Sequence, residues 1–107
     1  MEEKKENHSI ICGYGKVGRI LAKKLQEKKA NYIVIENNPE RVKELVENNI
    51  AAIEGDAKRE EVLERAGIKK AKNLLTCLED AENVFVIITA KMLNSNLNII
   101  AKVEDDL

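Results

Sequence analysis

The sequence is poor in the residues from which many catalytic and metal centres are built. It has one histidine, two cysteines and no tryptophan among 107 residues. One histidine cannot supply both a Ser/His/Asp triad and a histidine–cysteine metal set, and no pattern for either is present. Cys12 and Cys77 lie 65 positions apart, which is neither a CxxC spacing nor the dense pattern of a secreted disulfide scaffold. The composition therefore favours reduced thiols in a cytosolic compartment.

A large net charge and a long hydrophobic run are also missing. Eighteen basic residues stand against nineteen acidic ones, which gives a formal net charge of −1. This balance argues against a nucleic-acid partner. The longest apolar stretches, such as Val84–Ala90, are far below the roughly 20 residues that span a bilayer, so no direct membrane insertion is expected. Residues 1–7 are predicted to be a charged flexible leader rather than an export signal, and residues 8–107 a single domain.

The chain shows a regular alternation of strand and helix patterns. Apolar runs typical of buried parallel strands fall at residues 8–12, 32–35, 50–53, 73–78 and 98–103. Helical periodicity lies between them, at 16–29, from 39 to about 48, after Asp56, and at 80–93. Asp56 and Asp80 are candidate caps of the third and fourth helices. This order predicts an α/β fold, a Rossmann-like doubly wound parallel sheet with strand order 3-2-1-4-5.

A glycine-rich loop follows the first strand and opens the first helix. The letters GYGKVG at 13–18 form a GxGxxG pattern, which in this context is the fingerprint of a dinucleotide-binding fold. Gly13 permits the tight turn, Gly15 lets a pyrophosphate approach the backbone, and Gly18 lets the helix pack on the strand. The amides of the first helical turn then face a phosphate at the positive end of the helix dipole.

An acidic residue at the end of the second strand completes this pattern. Glu36 lies 18 positions beyond Gly18, where such folds place a carboxylate that accepts hydrogen bonds from the ribose hydroxyls. The same negative charge repels a 2′-phosphate, so NADP is disfavoured as a ligand. NAD, NADH, ATP, ADP and AMP stay open, because all of them present the same ribose diol and phosphate to the loop.

Five segments of the chain carry more specific patterns than the glycine loop alone. They are IICGYGKVGRILAKKL, IVIENNPERV, EGDA, LERAGIKKAKNLL and LEDAENVFVIITAK. With these segments the chain resembles the RCK domain family, also called KTN, over nearly its whole length. Members of that family are cytosolic regulatory domains of potassium channels and of Trk/Ktr-type potassium transporters. The resemblance implies a cytoplasmic sensor of NAD(H) or of ATP, ADP or AMP that is not an enzyme.

The resemblance also implies a role for each residue of the pocket. Phosphate binding falls to the glycine loop, ribose binding to Glu36, the adenine side to the GDA segment, and closure of the pocket to the turn after the fourth strand. Asp56 keeps helix capping as an alternative role. Lys16 stands where many members carry an arginine, and lysine keeps the charge without the bidentate fork. The residues assigned in this way are Gly13, Tyr14, Gly15, Lys16, Val17, Gly18, Glu36, Asp56, Ala57, Cys77 and Leu78.

Two other functions stay open at this point. One is a cofactor-binding fragment of an NAD-dependent oxidoreductase, and the other is an assembly module whose nucleotide site is vestigial. Full members of the RCK family continue beyond the fifth strand with another helix and a sixth strand, whereas this chain ends at Leu107. We therefore expect either a shortened piece of a longer member or a naturally minimal one, in both cases truncated before the sixth strand.

The segment Asp80–Leu93 is apolar on almost every side if it is a helix. Residues 84–89 have strand composition locally, but the length of the run and the need for a crossover between parallel strands favour a helix. A single stripe facing the sheet does not need so many apolar side chains, so we predict a homodimer through this helix. The family resemblance implies that such dimers assemble into a ring attached to the membrane subunit of a potassium channel or transporter.

Overall fold

The computed structural model of the chain describes residues 5–102, which form a five-stranded parallel sheet with flanking helices. The strands are β1 (Ser9–Cys12), β2 (Tyr32–Glu36), β3 (Ala52–Glu54), β4 (Asn73–Thr76) and β5 (Asn98–Ala101). The helices are α1 (Lys16–Glu27), α2 (Pro39–Glu47), α3 (Glu60–Arg65) and α4 (Asp80–Leu93), and Ile68–Lys70 forms a 3-10 turn. The order β3-β2-β1-β4-β5 confirms the predicted topology. Residues 1–4 of the predicted leader and Val103 of the predicted fifth strand lie outside the described residues.

The hydrophobic core has two layers that meet at the central strand. One layer holds Ile10 and Cys12 of β1 together with Val86 of α4, and the other holds Ile11 of β1 together with Leu45 of α2. Successive side chains of a strand point to opposite faces of the sheet, so a strand covered on both sides is apolar at every position. This explains why β1 reads as a continuous apolar run, and it makes β1 the fixed support of the glycine loop that follows.

Both predicted aspartate caps are wrong. Asp56 lies before α3, whose N-cap residue is Arg59, and its Oδ1 accepts a hydrogen bond from the Lys58 amide at 2.9 Å. Asp80 is the first residue inside α4, whose N-cap residue is Glu79, and no side chain caps that helix. An aspartate side chain can accept a hydrogen bond from the amide two residues ahead in a turn as readily as it caps a helix, and Asp56 forms the turn. Asp56 is thereby left at the edge of the sheet.

The only histidine is buried where the chain enters β1. The Nε2 atom of His8 lies 2.8 Å from the carbonyl oxygen of Ala66. Because a carbonyl oxygen can only accept, the His8 ring carries its proton on Nε2 and donates from there. Its Nδ1 is the one buried side-chain nitrogen or oxygen without a hydrogen-bond partner in the part of the chain that the structure describes. Burial therefore lowers the pKa of His8 below its ordinary value of 6.5, although the bond to Ala66 opposes this shift.

We expect the free energy of unfolding to fall as the pH drops below 6.5. The unfolded chain then binds a proton at His8 while the folded chain does not, and the loss continues until the pH reaches the lowered pKa of the folded state. Denaturant unfolding of the wild type and of His8→Gln at about pH 7.5 and about pH 5.5 measures this loss. Glutamine keeps a donor near the Nε2 position but does not titrate, so an equal loss in both proteins would contradict the assignment.

Candidate functional site

The carboxyl ends of β1, β2, β3 and β4 surround a narrow cleft at one edge of the sheet. Ligands of doubly wound sheets bind at this edge, where the strand order reverses, here between β1 and β4. The cleft measures about 50 Å³, well below the roughly 300–1,000 Å³ of typical ligand pockets, so it would have to widen to hold a ligand of that size. Five of the residues predicted from the sequence come together in its wall: Gly13, Glu36, Asp56, Ala57 and Leu78.

The three glycines of the loop occupy different local environments, and not all of them are needed for the fold. Gly13 has φ +99°, in the left-handed region that side chains rarely adopt. A Cβ on Gly18 would overlap the carbonyl oxygen of Gly13. Gly15 has φ −88°, in an extended conformation, and a Cβ there would have only one neighbour, the Nη1 atom of Arg41 at 3.8 Å. Backbone and packing therefore require the first and third glycines, whereas the space above Gly15 is open except for the end of the Arg41 side chain.

Glu36 holds the glycine loop in place. It is only 6% exposed, and its Oε1 accepts a hydrogen bond from the Tyr14 amide while its Oε2 accepts one from the Asn38 amide, both at 2.7 Å. The carboxylate thus ties the loop to the start of α2, a role that the sequence pattern did not predict. A carboxylate offers about four lone-pair positions, so two remain for a ribose.

Asn83 fixes the turn that follows β4. Its Oδ1 accepts hydrogen bonds from the Thr76 hydroxyl at 2.6 Å and from the Leu78 amide at 3.1 Å, and its Nδ2 donates to the Lys102 carbonyl at 3.4 Å. Asn83 therefore positions Leu78 against the cleft and connects the ends of β4 and β5. Asn83 lies in the segment LEDAENVFVIITAK, where it forms a D-x-x-N pattern with Asp80, and the sequence alone predicted no role for it.

Lys58 connects the two sides of the cleft mouth. Its Nζ lies 3.6 Å from Oδ2 of Asp56 and 3.1 Å from Oε2 of Glu82, which belongs to α4. The hydrogen bond to Glu82, together with the charge of Asp56, raises the pKa of Lys58. Because both of these carboxylates also line the cleft, a base that enters there has to displace or reorganise this bridge.

The remaining predicted residues lie around the cleft rather than in its wall. Lys16 and Val17 open α1, and the Lys16 side chain is exposed. The ring of Tyr14 is buried in the core layer that contains α1 and α2, and the Arg19 guanidinium carbon lies 4.6 Å from the centre of this ring. Tyr14 therefore contributes its backbone, and not its side chain, to the surface of the loop. Cys77 packs into the same layer, and burial raises the pKa of its thiol, which stays protonated at neutral pH.

The described part of the chain carries neither a metal-binding cluster nor a helix that could span a membrane. Within residues 5–102 no group of three or more histidine, cysteine, aspartate or glutamate residues could hold a metal ion. None of the helices in that range is both long enough and apolar enough to cross a membrane.

Comparison with known proteins gives consistent matches. The family model described as the TrkA-N domain matches residues 9–107. Potassium channel protein 1 of Methanocaldococcus jannaschii is 39% identical over 105 residues, which are 95% of this chain and 32% of that protein. The chain thus spans about a third of the length of that relative.

Two solved structures resemble the whole domain. The TrkA-N domain of the inner membrane protein ybaL from Escherichia coli is 32% identical with a TM-score of 0.92, and the match covers 97% of this chain and 78% of that one. The Shewanella denitrificans Kef CTD in an AMP-bound form is 25% identical with a TM-score of 0.80, and the match covers 92% of this chain and 60% of that one.

Proposed function

Because this chain belongs to the TrkA-N domain family, we propose that it binds NAD(H) or an adenine nucleotide and thereby regulates a potassium channel or transporter at the cytoplasmic face of the membrane. A potassium channel protein among its relatives supports the regulatory part of this proposal, and the AMP-bound Kef structure supports the ligand class. A ligand shifts such a regulator only by its different affinity for two conformations, so no chemical step on the nucleotide is needed.

The open space above Gly15 is the observation that carries the ligand part of the proposal. Neither the backbone conformation nor the packing of this residue requires glycine, whereas a phosphate at the amino terminus of α1 does. The amides of Lys16 and Val17 would hold that phosphate, and Glu36 would bind the ribose through its remaining lone pairs. The adenine would lie between Leu78 and the turn that contains Asp56, where the narrow cleft opens.

Ligand-induced stabilisation tests this function directly. The full chain is heated with NAD, NADH, ATP, ADP, AMP or NADP, and each ligand that raises the Tm is followed by calorimetry, because binding to the folded state stabilises it by mass action. We expect at least one of the first five ligands to raise the Tm, and NADP to raise it least. If none of the six raises the Tm, the nucleotide-sensing proposal fails and the domain is better explained as an assembly module.

A homodimer through α4 is the second part of the proposal. Four large apolar side chains of this helix are each more than half exposed: Val84, Phe85, Ile88 and Met92. Val84 and Phe85 are adjacent, Ile88 lies one helical turn beyond them, and Met92 one turn beyond Ile88, so the four share one side of the helix. A contiguous exposed apolar patch of this kind marks a protein interface. A second copy offers the same apolar surface, and dimers of this kind would form the ring that acts on the membrane subunit.

We expect Phe85→Glu to weaken the dimer about thirtyfold or more, since loss of a central aromatic contact costs about 2 kcal/mol and the new carboxylate must be desolvated. Val46→Glu is the matched control, because Val46 is also more than half exposed but lies on α2. Size-exclusion chromatography with light scattering at micromolar concentration gives the mass of each protein. A monomeric wild type, or a Phe85→Glu protein that stays dimeric, would remove α4 as the interface.

A further inference from the structure

A guanidinium group lies directly above the open space at Gly15. The Nη1 atom of Arg41 is 3.8 Å from the position that a Cβ on Gly15 would occupy, and 3.9 Å from Oε1 of Glu36. Arg41 belongs to the first turn of α2, so α2 rather than α1 brings this guanidinium to the glycine loop. Its side chain is 45% exposed and can move toward a ligand. Arg41 lies in the segment IVIENNPERV, but the sequence alone predicted no role for it.

The fold makes little use of this guanidinium. Both oxygens of Glu36 already accept backbone amides at 2.7 Å, and a distance of 3.9 Å is too long for a hydrogen bond from Arg41. Arg19, the other arginine beside the loop, is used differently. Both of its terminal nitrogens bind the Glu44 carboxylate, and its guanidinium lies over the Tyr14 ring. Arg19 is thus part of the packing, whereas Arg41, among the described residues, has the long ion pair with Glu36 and an electrostatic attraction to Glu44.

We propose that Arg41 is a phosphate-binding residue of the nucleotide site. When a nucleotide occupies the space above Gly15, the guanidinium leaves Glu36 and binds phosphate oxygens through two parallel N–H donors, a geometry that its planar fork matches. The phosphate is then held between the amides of α1 on one side and Arg41 on the other. Glu36 Oε1 keeps its bond to the Tyr14 amide, and the departure of Arg41 clears the approach of a ribose hydroxyl to its remaining lone pair. This inference rests on the proposed nucleotide binding and adds the side chain that selects phosphorylated ligands.

Calorimetry with matched ligands tests the role of Arg41. The probes are AMP, ADP and NAD, with adenosine as the ligand that keeps base and ribose but lacks phosphate. In Arg41→Gln we expect the affinity for each phosphorylated ligand to fall about tenfold or more, because a charge-assisted bidentate contact is lost, while the affinity for adenosine stays unchanged. Arg41→Lys should recover only part of the loss, since lysine keeps the charge without the fork. If adenosine binds too weakly for calorimetry, an NMR titration at high adenosine concentration measures its affinity for the wild type and for Arg41→Gln.

Lys43→Gln is the matched control, because it removes one positive charge from an exposed position of the same helix. It should leave the affinity for AMP, ADP and NAD within about twofold of the wild type, allowing for screened long-range charge effects. Equal binding by Arg41→Gln and the wild type overturns this inference and leaves the proposed function intact. An equal loss for adenosine and AMP overturns it as well. A wild type that binds none of the ligands overturns the proposed function itself, and the role of Arg41 with it.

Discussion

Replacing Gly15 with valine is expected to reduce nucleotide affinity by at least about a hundredfold while the protein keeps its fold. The added side chain fills the space above the loop and keeps phosphate oxygens away from the amides at the start of α1. Each hydrogen bond to a charged group contributes about 1.5–3 kcal/mol, so the loss of two such bonds gives this factor. The free energy of unfolding should fall by no more than about 1 kcal/mol, the cost of a poorer N-cap residue.

Calorimetry with the best ligand of the thermal screen measures the affinity of Gly15→Val, and denaturant unfolding without ligand measures its stability. Both are needed, because a protein that has lost its fold also loses its ligand. Wild-type affinity in a folded Gly15→Val protein would show that no phosphate lies at this position. The phosphate site would then have to be elsewhere, and the ligand part of the proposed function would fail.

Replacing Gly18 with alanine is expected to have the opposite pattern, a loss of stability of at least about 3 kcal/mol or a failure to fold. A Cβ at this position overlaps the carbonyl oxygen of Gly13, a residue that directly follows β1 and is anchored by the hydrogen bond of its amide to the Ile35 carbonyl at 2.9 Å. Backbone overlap is costlier than crowding between flexible side chains, which costs about 1–3 kcal/mol.

Circular dichroism and urea unfolding of Gly18→Ala test this expectation, with Gly15→Ala as the control. The two substitutions are chemically identical and lie three residues apart, Gly15 at the N-cap and Gly18 in the first turn of α1, so a difference between them reports their local environments. A Gly18→Ala protein that unfolds at the wild-type urea concentration would mean that helix and loop separate easily, and the close packing of α1 on β1 would not be a condition of the fold.

The element order and the topology could be read from the sequence because they depend on short-range patterns. Apolar runs marked the strands, and three- to four-residue periodicity marked the helices. In α4, residues 84–89 favoured a strand locally, and only the need to connect two parallel strands favoured the helix that the structure confirms. The predicted capping residues of α3 and α4 were wrong. Asp56 accepts a turn hydrogen bond instead, because a capping side chain and a turn side chain have the same chemistry, and Asp80 lies one residue inside α4.

The sequence alone determined the α/β class, the strand order and the glycine loop with an acidic residue at the end of the following strand. Only the tertiary structure decided that Glu36 binds the Tyr14 amide across 22 residues, that Asn83 positions the turn after β4, and that Arg41 lies above Gly15. Periodicity and propensity describe neighbours within one helix or strand. Contacts between segments appear only when the sheet brings the ends of its strands together, and those contacts distinguish a glycine that the fold needs from one that leaves room for a ligand.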